Sequence, residues 1–292
     1  MSKVTVVFPG QGKKFGKTEL LLMERHTDIV EKAENVLGFS PISLLKDRPE
    51  EIKRTEYAQP MGYLTAYLFY EELISKLGKK PDFVIGHSLG ELCALTAGEY
   101  IDFEEGLILV NKRGRIMAKA GEGGMTAVMG KNPEKILDAI EDEISGDIDI
   151  ANYNSPFQIV ISGPEDSLNE AEERLSERGL KAVRLSVSGA FHSRYMNAAA
   201  EEFNKELNSF PFERGGEVKV MSSVRPVFYG ENPLDILREQ ITSPVRFTES
   251  INEIIDQGCY DFIQVDGGHG MINLVDEIKF DRALNSRNYC SD

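Results

Sequence analysis

The chain has 292 residues, 41% of them apolar and 28% charged, which is enough to bury a sizeable core and argues against disorder. Thirty-three Lys plus Arg face 48 Asp plus Glu, a formal net charge of −15. That balance speaks against a nucleic-acid binder, which needs a basic face, and against binding to an anionic membrane.

The opening MSKVTVVFPGQG has too short an apolar run for a secretory signal, and no later run reaches the ~18 residues of a membrane span. A cytoplasmic location is the expectation. Residues 4–8 form a β-branched run closed by Pro9, Gly10 and Gly12, the pattern of a first strand. Helix-compatible polar sequence follows to about Leu37. Residues 58–77 carry apolar side chains at helical spacing, and residues 81–86 read as a short buried strand. Helices are expected over 89–99 and 103–119. Strand, glycine turn and helix alternate, which predicts a parallel sheet with helices on both faces.

The texture changes near residue 121. Strands are expected at 125–129, 147–151, 158–162 and 182–187, with helices at 133–142 and 168–177. The order β-α-β-β-α-β is that of a ferredoxin-like unit inserted into the larger one. Beyond it, helices are expected over 194–210, 233–240 and 247–256, and strands at 218–222 and 261–265. Residues 268–270 read as a turn and residues 285–292 as a frayed tail. Cys93, Cys259 and Cys290 fit neither a zinc site nor a CxxC motif and read as idle thiols of a reducing compartment.

The sharpest local signal is Gly86-His87-Ser88-Leu89-Gly90, set between a predicted strand and a predicted helix. A serine on so tight a turn projects its hydroxyl above the sheet, and flanking glycines admit neighbouring backbone. The N–H of Leu89, at the helix start, points toward an oxyanion formed there. A serine nucleophile needs a base. The chain has four histidines. His87 adjoins the serine and must point elsewhere, and His26 lies in a charged helix. His192, where the inserted unit rejoins the larger one, is the preferred base. His269, in a glycine-rich setting, is the competitor.

FPGQG at the start, GHSLGE at 86–91, NKRG at 111–114, NYNSPFQIVISGP at 152–164, AFHS at 190–193 and QITSPVRF at 240–247 come in that order. Together they resemble the malonyl-CoA:acyl carrier protein transacylase family, most of all the free-standing acyltransferases that serve polyketide synthases in trans. The similarity runs from residue 4 to about residue 275. It implies an α/β fold with a large α/β-hydrolase-like domain of residues 1–123 and 189–292, built on a parallel central sheet. A small ferredoxin-like subdomain of residues 124–188 is inserted into it.

The resemblance also implies roles. Ser88 is the nucleophile and His192 the base, held by the main-chain carbonyl of Gln240 in place of a carboxylate. The Gln11 N–H joins that of Leu89 in the oxyanion hole. Arg113 clamps the free carboxylate of malonate through its planar fork, where its sequence setting alone would read as a surface arginine. Gln59 lines the acyl pocket, and Phe191 narrows it toward malonyl over methylmalonyl. The turn departs from the family's usual GQGSQ, reading Gly10-Gln11-Gly12-Lys13-Lys14.

The implied reaction is ping-pong transfer from malonyl-CoA, a coenzyme A thioester, to the phosphopantetheine thiol of an acyl carrier protein, with no metal or bound cofactor and a monomeric enzyme. Carrier proteins are typically acidic, so a chain of this charge needs a local basic patch. Lys13, Lys14, Lys181 and Arg184 are the candidates. An acyl hydrolase of the same fold shares the Ser–His pair. A dead scaffold would have lost it. Arg113 separates transfer of a carboxylated unit from hydrolysis of neutral acyl groups, which has no use for a buried guanidinium.

Overall fold

The computed structural model describes residues 2–12, 14–120, 123–143 and 146–288, with side chains through residue 285. Strand β1 (Val4–Phe8) is followed by helices α1 (Lys17–Arg25), α2 (Thr27–Leu37), α3 (Pro41–Asp47) and α4 (Thr55–Leu77). Strand β2 (Phe83–Gly86), α5 (Leu89–Ala97) and α6 (Phe103–Ala118) come next. After them run β3 (Gly124–Met129), α7 (Pro133–Glu143), β4 (Asp149–Ser155), β5 (Gln158–Gly163), α8 (Glu165–Glu177) and β6 (Lys181–Arg184). The chain closes with α9 (Asn197–Asn208), β7 (Lys219–Met221), α10 (Leu234–Leu237), α11 (Phe247–Asp256), β8 (Asp261–Gln264) and α12 (Gly270–Asn288).

Two sheets result. The first is wholly parallel, in the order β7-β2-β1-β8. All four residues of β2 are buried, as a central parallel strand covered on both faces requires. The second is antiparallel, in the order β4-β5-β3-β6, which is the ferredoxin-like arrangement for a β-α-β-β-α-β unit. The fold is therefore α/β, with a parallel four-stranded sheet and a separate small antiparallel one. The segment before α11 is tied to the edge strand β4 of the antiparallel sheet: Val245 N–H donates to Ala151 O (2.8 Å), and Tyr153 N–H donates to Val245 O (2.8 Å).

Helix α6 lies close against α4 because two glycines face it. A Cβ on Gly106 would meet the Tyr63 hydroxyl at 2.1 Å, and one on Gly114 would lie 3.1 Å from Thr55 O. This close packing brings Arg113 on α6 beside Gln59 on α4. The N-terminus of α6 is capped by Asp102, whose carboxylate accepts from Glu105 N–H at 2.7 Å.

Several expectations are corrected. Residues 194–210 split into a short 3₁₀ turn (Arg194–Met196) and α9, and only Leu234–Leu237 of the stretch 233–240 is α-helical. Strand β4 starts two residues late, at Asp149, and β6 stops at Arg184. Residues 285–288 are not a frayed tail but the end of α12. That helix buries Met271, Leu274, Val275 and Ile278 against α11 and β8. Its first turn is capped from a distance: Gln264 Oε1 accepts from Met271 N–H (2.8 Å) and Ile272 N–H (3.3 Å). Cys93 and Cys259 are free and buried, and burial pushes both thiols up, away from reactivity. Cys290 lies outside the described residues. No helix among the described residues is long and apolar enough to cross a membrane.

Candidate active site

The parallel strands deliver their C-terminal ends to one rim, where ligands of open α/β sheets bind. Gln11 follows β1, Ser88 follows β2 and Asp266 follows β8. Together with Gln59, Leu89, Arg113, Phe191 and His192 they line a cavity of about 700 Å³. Residues of the antiparallel sheet, including Met125, Ala127, Asn152 and Val160, form its other wall. The cavity thus lies between the two sheets.

Ser88 sits at φ 52°, one of three described non-glycine residues with positive φ. The strained turn is enforced by packing. A Cβ on Gly86 would lie 1.9 Å from the Gly90 carbonyl, and one on Gly90 would lie 2.3 Å from Phe8 O. Only glycines allow β1, β2 and α5 to meet here. The Leu89 amide is the first of α5 and so lacks an intrahelical acceptor.

Ser88 Oγ lies 2.7 Å from His192 Nε2. The other ring nitrogen, Nδ1, faces two main-chain carbonyls, Gln240 O at 2.9 Å and Ser243 O at 3.1 Å. Carbonyls only accept, so Nδ1 carries the proton and Nε2 offers its lone pair to the serine hydroxyl. Burial first, then the charge of Arg113, pushes the His192 imidazole down to about 3. It is neutral at physiological pH, the form a general base requires. His192 also has positive φ (57°), and its N–H donates to Ile241 O at 3.1 Å.

Arg113 is only 1% exposed. Its Nε donates to Gln240 Oε1 (3.1 Å), Nη1 to Gln59 Oε1 (2.7 Å) and Nη2 to Ser88 Oγ (3.2 Å). Burial pushes the guanidinium down to about 10, so it stays charged at neutral pH. Every direct partner is neutral. These three bonds use three of the five guanidinium N–H groups, leaving one on each terminal nitrogen, the number a carboxylate takes from a planar fork.

None of the other histidines hydrogen-bonds Ser88, although His87 lines the cavity. His269 is exposed and does not line the cavity. His26 lies 3.3 Å from Glu72 at the junction of α1 and α2. His87 points away from the nucleophile, with its Nε2 2.8 Å from Asn154 Oδ1 and 3.1 Å from Asn152 Nδ2. The two asparagines, the second carbonyl from Ser243 and the buried Glu91 behind Gln240 are site features that sequence reasoning missed. Each had a visible signal: Glu91 ends GHSLGE, Asn152 and Asn154 open NYNSPFQIVISGP, and Ser243 lies in QITSPVRF.

The basic patch needs correction. Arg184 is committed to its own subdomain: Nε donates to Glu172 (2.7 Å) and Thr126 (3.1 Å), Nη2 to Asn169 (2.9 Å), and Nη1 pairs with Glu165. Its charge is spent internally. Lys181 is exposed on β6, and Lys14 lines the cavity mouth. Lys13 lies outside the described residues.

A serine at a strained strand–helix turn, a neutral histidine on its hydroxyl and a buried cation beside both form an arrangement suited to acyl transfer through a serine ester. Residues 5–275 match the acyl transferase domain family, and the chain belongs to it. It is 40% identical over 284 residues to the polyketide biosynthesis malonyl CoA-acyl carrier protein transacylase PksC of Bacillus subtilis, covering 95% of this chain and 98% of that one. The crystal structure of the malonyl CoA-acyl carrier protein transacylase of Burkholderia pseudomallei superposes with a TM-score of 0.88 at 35% identity, over 96% of this chain and 99% of that one. A malonyl-transacylase in complex with its type II polyketide synthase acyl-carrier protein matches with a TM-score of 0.87 at 29% identity, covering 95% and 93% of the two chains.

Proposed function

We propose that this chain is a malonyl-CoA:acyl carrier protein transacylase of polyketide or fatty acid biosynthesis. The observation that carries the reading is Arg113: a buried guanidinium with no anion in contact, 3.2 Å from the nucleophile's oxygen. An unpaired buried cation is costly unless something negative arrives. A short diacid with one end activated as a thioester supplies both the anion and the electrophile.

The donor's free carboxylate docks on the two remaining N–H groups of Arg113. His192 Nε2 takes the Ser88 proton as Oγ adds to the thioester carbonyl. The resulting oxyanion lies between the N–H groups of Gln11 and Leu89. Collapse breaks the C–S bond, and the proton on Nε2 goes to the departing coenzyme A sulfur. The carrier's pantetheine thiol then gives its proton to His192 and attacks the ester. Ser88 leaves, recovers the proton, and the carrier departs loaded. This chain's own residues suffice for each step.

We further propose that the enzyme acts as a monomer. We place it in the cytoplasm. Lys14 at the cavity mouth and exposed Lys181 are the basic groups we assign to carrier docking. Phe191, 5% exposed in the cavity wall, is the residue we assign to exclusion of a C2 branch.

Intact-mass spectrometry tests the reading in two stages. Mixing with malonyl-CoA should add one malonyl group to the wild type and none to Ser88→Ala. Adding phosphopantetheinylated carrier should move that group to the carrier. Release to water faster than to carrier would favour the hydrolase and overturn the transferase reading. Run with methylmalonyl-CoA, the same assay on Phe191→Ala should show labelling up by about ten- to a hundredfold, since one methyl is worth ~1–3 kcal/mol. Unchanged labelling would remove Phe191 from the selectivity.

A further inference from the structure

GHSLGE ends in a residue the mechanism above does not use. Glu91, on the first turn of α5, is fully buried. Five donors converge on its two oxygens. Oε1 accepts from Ser222 Oγ (2.7 Å), Ser223 N–H (3.0 Å) and Tyr229 Oη (2.8 Å). Oε2 accepts from Ser223 Oγ (3.3 Å) and Gln240 Nε2 (2.8 Å). Only donors face the carboxylate, and no cation is in contact with it. The opposite charge is one residue away. The Gln240 amide stands between Glu91 and Arg113, with Oε1 accepting from Arg113 Nε (3.1 Å) and Nε2 donating to Glu91 and to Ser88 O (3.0 Å).

We propose that Glu91 is a positioning residue for the acyl donor's carboxylate, acting on Arg113 through the Gln240 side chain. The amide can be held only one way round. Ser88 O and Glu91 Oε2 accept, so the NH₂ must face them. Arg113 Nε only donates, so the oxygen must face it. Glu91 thereby fixes an acceptor against the inner edge of the guanidinium and turns its outer edge to the cavity. Its negative charge also offsets that of Arg113, whose direct partners are all neutral. The same Gln240 gives its main-chain carbonyl to His192, so one residue sets both the cation and the base.

The proposal rests on Arg113 being the carboxylate clamp. A glutamine at 91 keeps the volume but puts an NH₂ group among donors. Gln240 must then lose a partner or turn its NH₂ toward Arg113. Single-turnover acylation of Ser88, followed by intact mass with malonyl-CoA and acetyl-CoA separately, reads this out. Glu91→Gln should lower the malonyl-to-acetyl rate ratio by about tenfold. In an Arg113→Ala background it should not move the ratio further, because its effect passes through the guanidinium. Tyr229→Phe, which keeps the carboxylate but removes one donor, should lower the ratio by about threefold and guards against loss of folding in Glu91→Gln. Equal losses for both donors, or an unchanged ratio in folded variants, would overturn the positioning role and leave the transacylase reading standing. An Arg113→Ala ratio equal to the wild type would bring down the clamp itself, and this proposal with it.

Discussion

Replacing Arg113 by Ala is expected to lower kcat/KM for malonyl-CoA by about a hundredfold or more, with a far smaller loss for acetyl-CoA. A charge-assisted, two-point contact made in a desolvated site is worth roughly 2–5 kcal/mol when one partner is removed. The guanidinium meets that description, since it is buried, keeps its charge and has N–H groups free on both terminal nitrogens. Acetyl groups bring no carboxylate, so they forfeit only the weaker bond from Nη2 to Ser88. The preference between donors should therefore collapse or invert. Steady-state kinetics with both thioesters measures it. Parallel losses for the two donors would mean that Arg113 supports the fold or the serine and does not choose the substrate.

His192→Ala should slow formation of the acyl-serine by about 10²–10⁴-fold, the usual contribution of a positioned base. The wild-type pH profile carries a second signature. Burial and the Arg113 charge hold the imidazole down at about 3. A depressed base is protonated later as pH falls. The acid limb of kcat/KM, which reports the free enzyme, should therefore lie well below the ordinary histidine value of ~6.5. A bound malonyl carboxylate offsets the Arg113 charge and makes the base stronger. The acid limb of saturated acylation should accordingly lie at higher pH than that of kcat/KM. Stability moves the same way. Between the two His192 values the unfolded chain holds a proton that the folded chain does not, so stability falls as pH drops below ~6.5. Rapid-quench acylation rates across pH, on protein verified as folded, check both limbs. An acid limb of kcat/KM at or above ~6.5 would contradict the burial argument.

The parts of this molecule that depend on neighbours in sequence were legible in it. The serine elbow is local: a strand, a glycine-flanked serine and a helix within a dozen residues. Helix α11 was placed residue for residue, because its apolar stripe is uninterrupted. The choice of base was less secure. His192 and His269 both sit among small residues near element ends; the junction position and then the resemblance favoured His192, and the structure sets its Nε2 2.7 Å from Ser88 Oγ.

Features set by distant partners were not legible. Helix α12 has a helical apolar stripe, but its start carries no local Ser or Asp cap. Gln264, at the end of β8, supplies the cap instead, so the glycine-rich stretch before the helix read as a turn. Arg184 looked like a free cation because a sequence lists charges without their partners. The acids that neutralise it lie 12 and 19 residues upstream, on the helix packed beside its strand. The Glu91–Gln240–Arg113 chain joins residues as far as 149 positions apart. Its members become neighbours only once α5, α6 and the loop before α11 are stacked.

The most direct measurement is a crystal structure of the malonyl ester of Ser88, trapped by flash-cooling crystals soaked with malonyl-CoA in the absence of carrier. The ester carbonyl should lie between the Gln11 and Leu89 amides, and the free carboxylate within hydrogen-bonding distance of both terminal nitrogens of Arg113. A serine ester whose carboxylate points into solvent or onto another cation, with the guanidinium bonded only to Gln240, Gln59 and Ser88, would contradict the account.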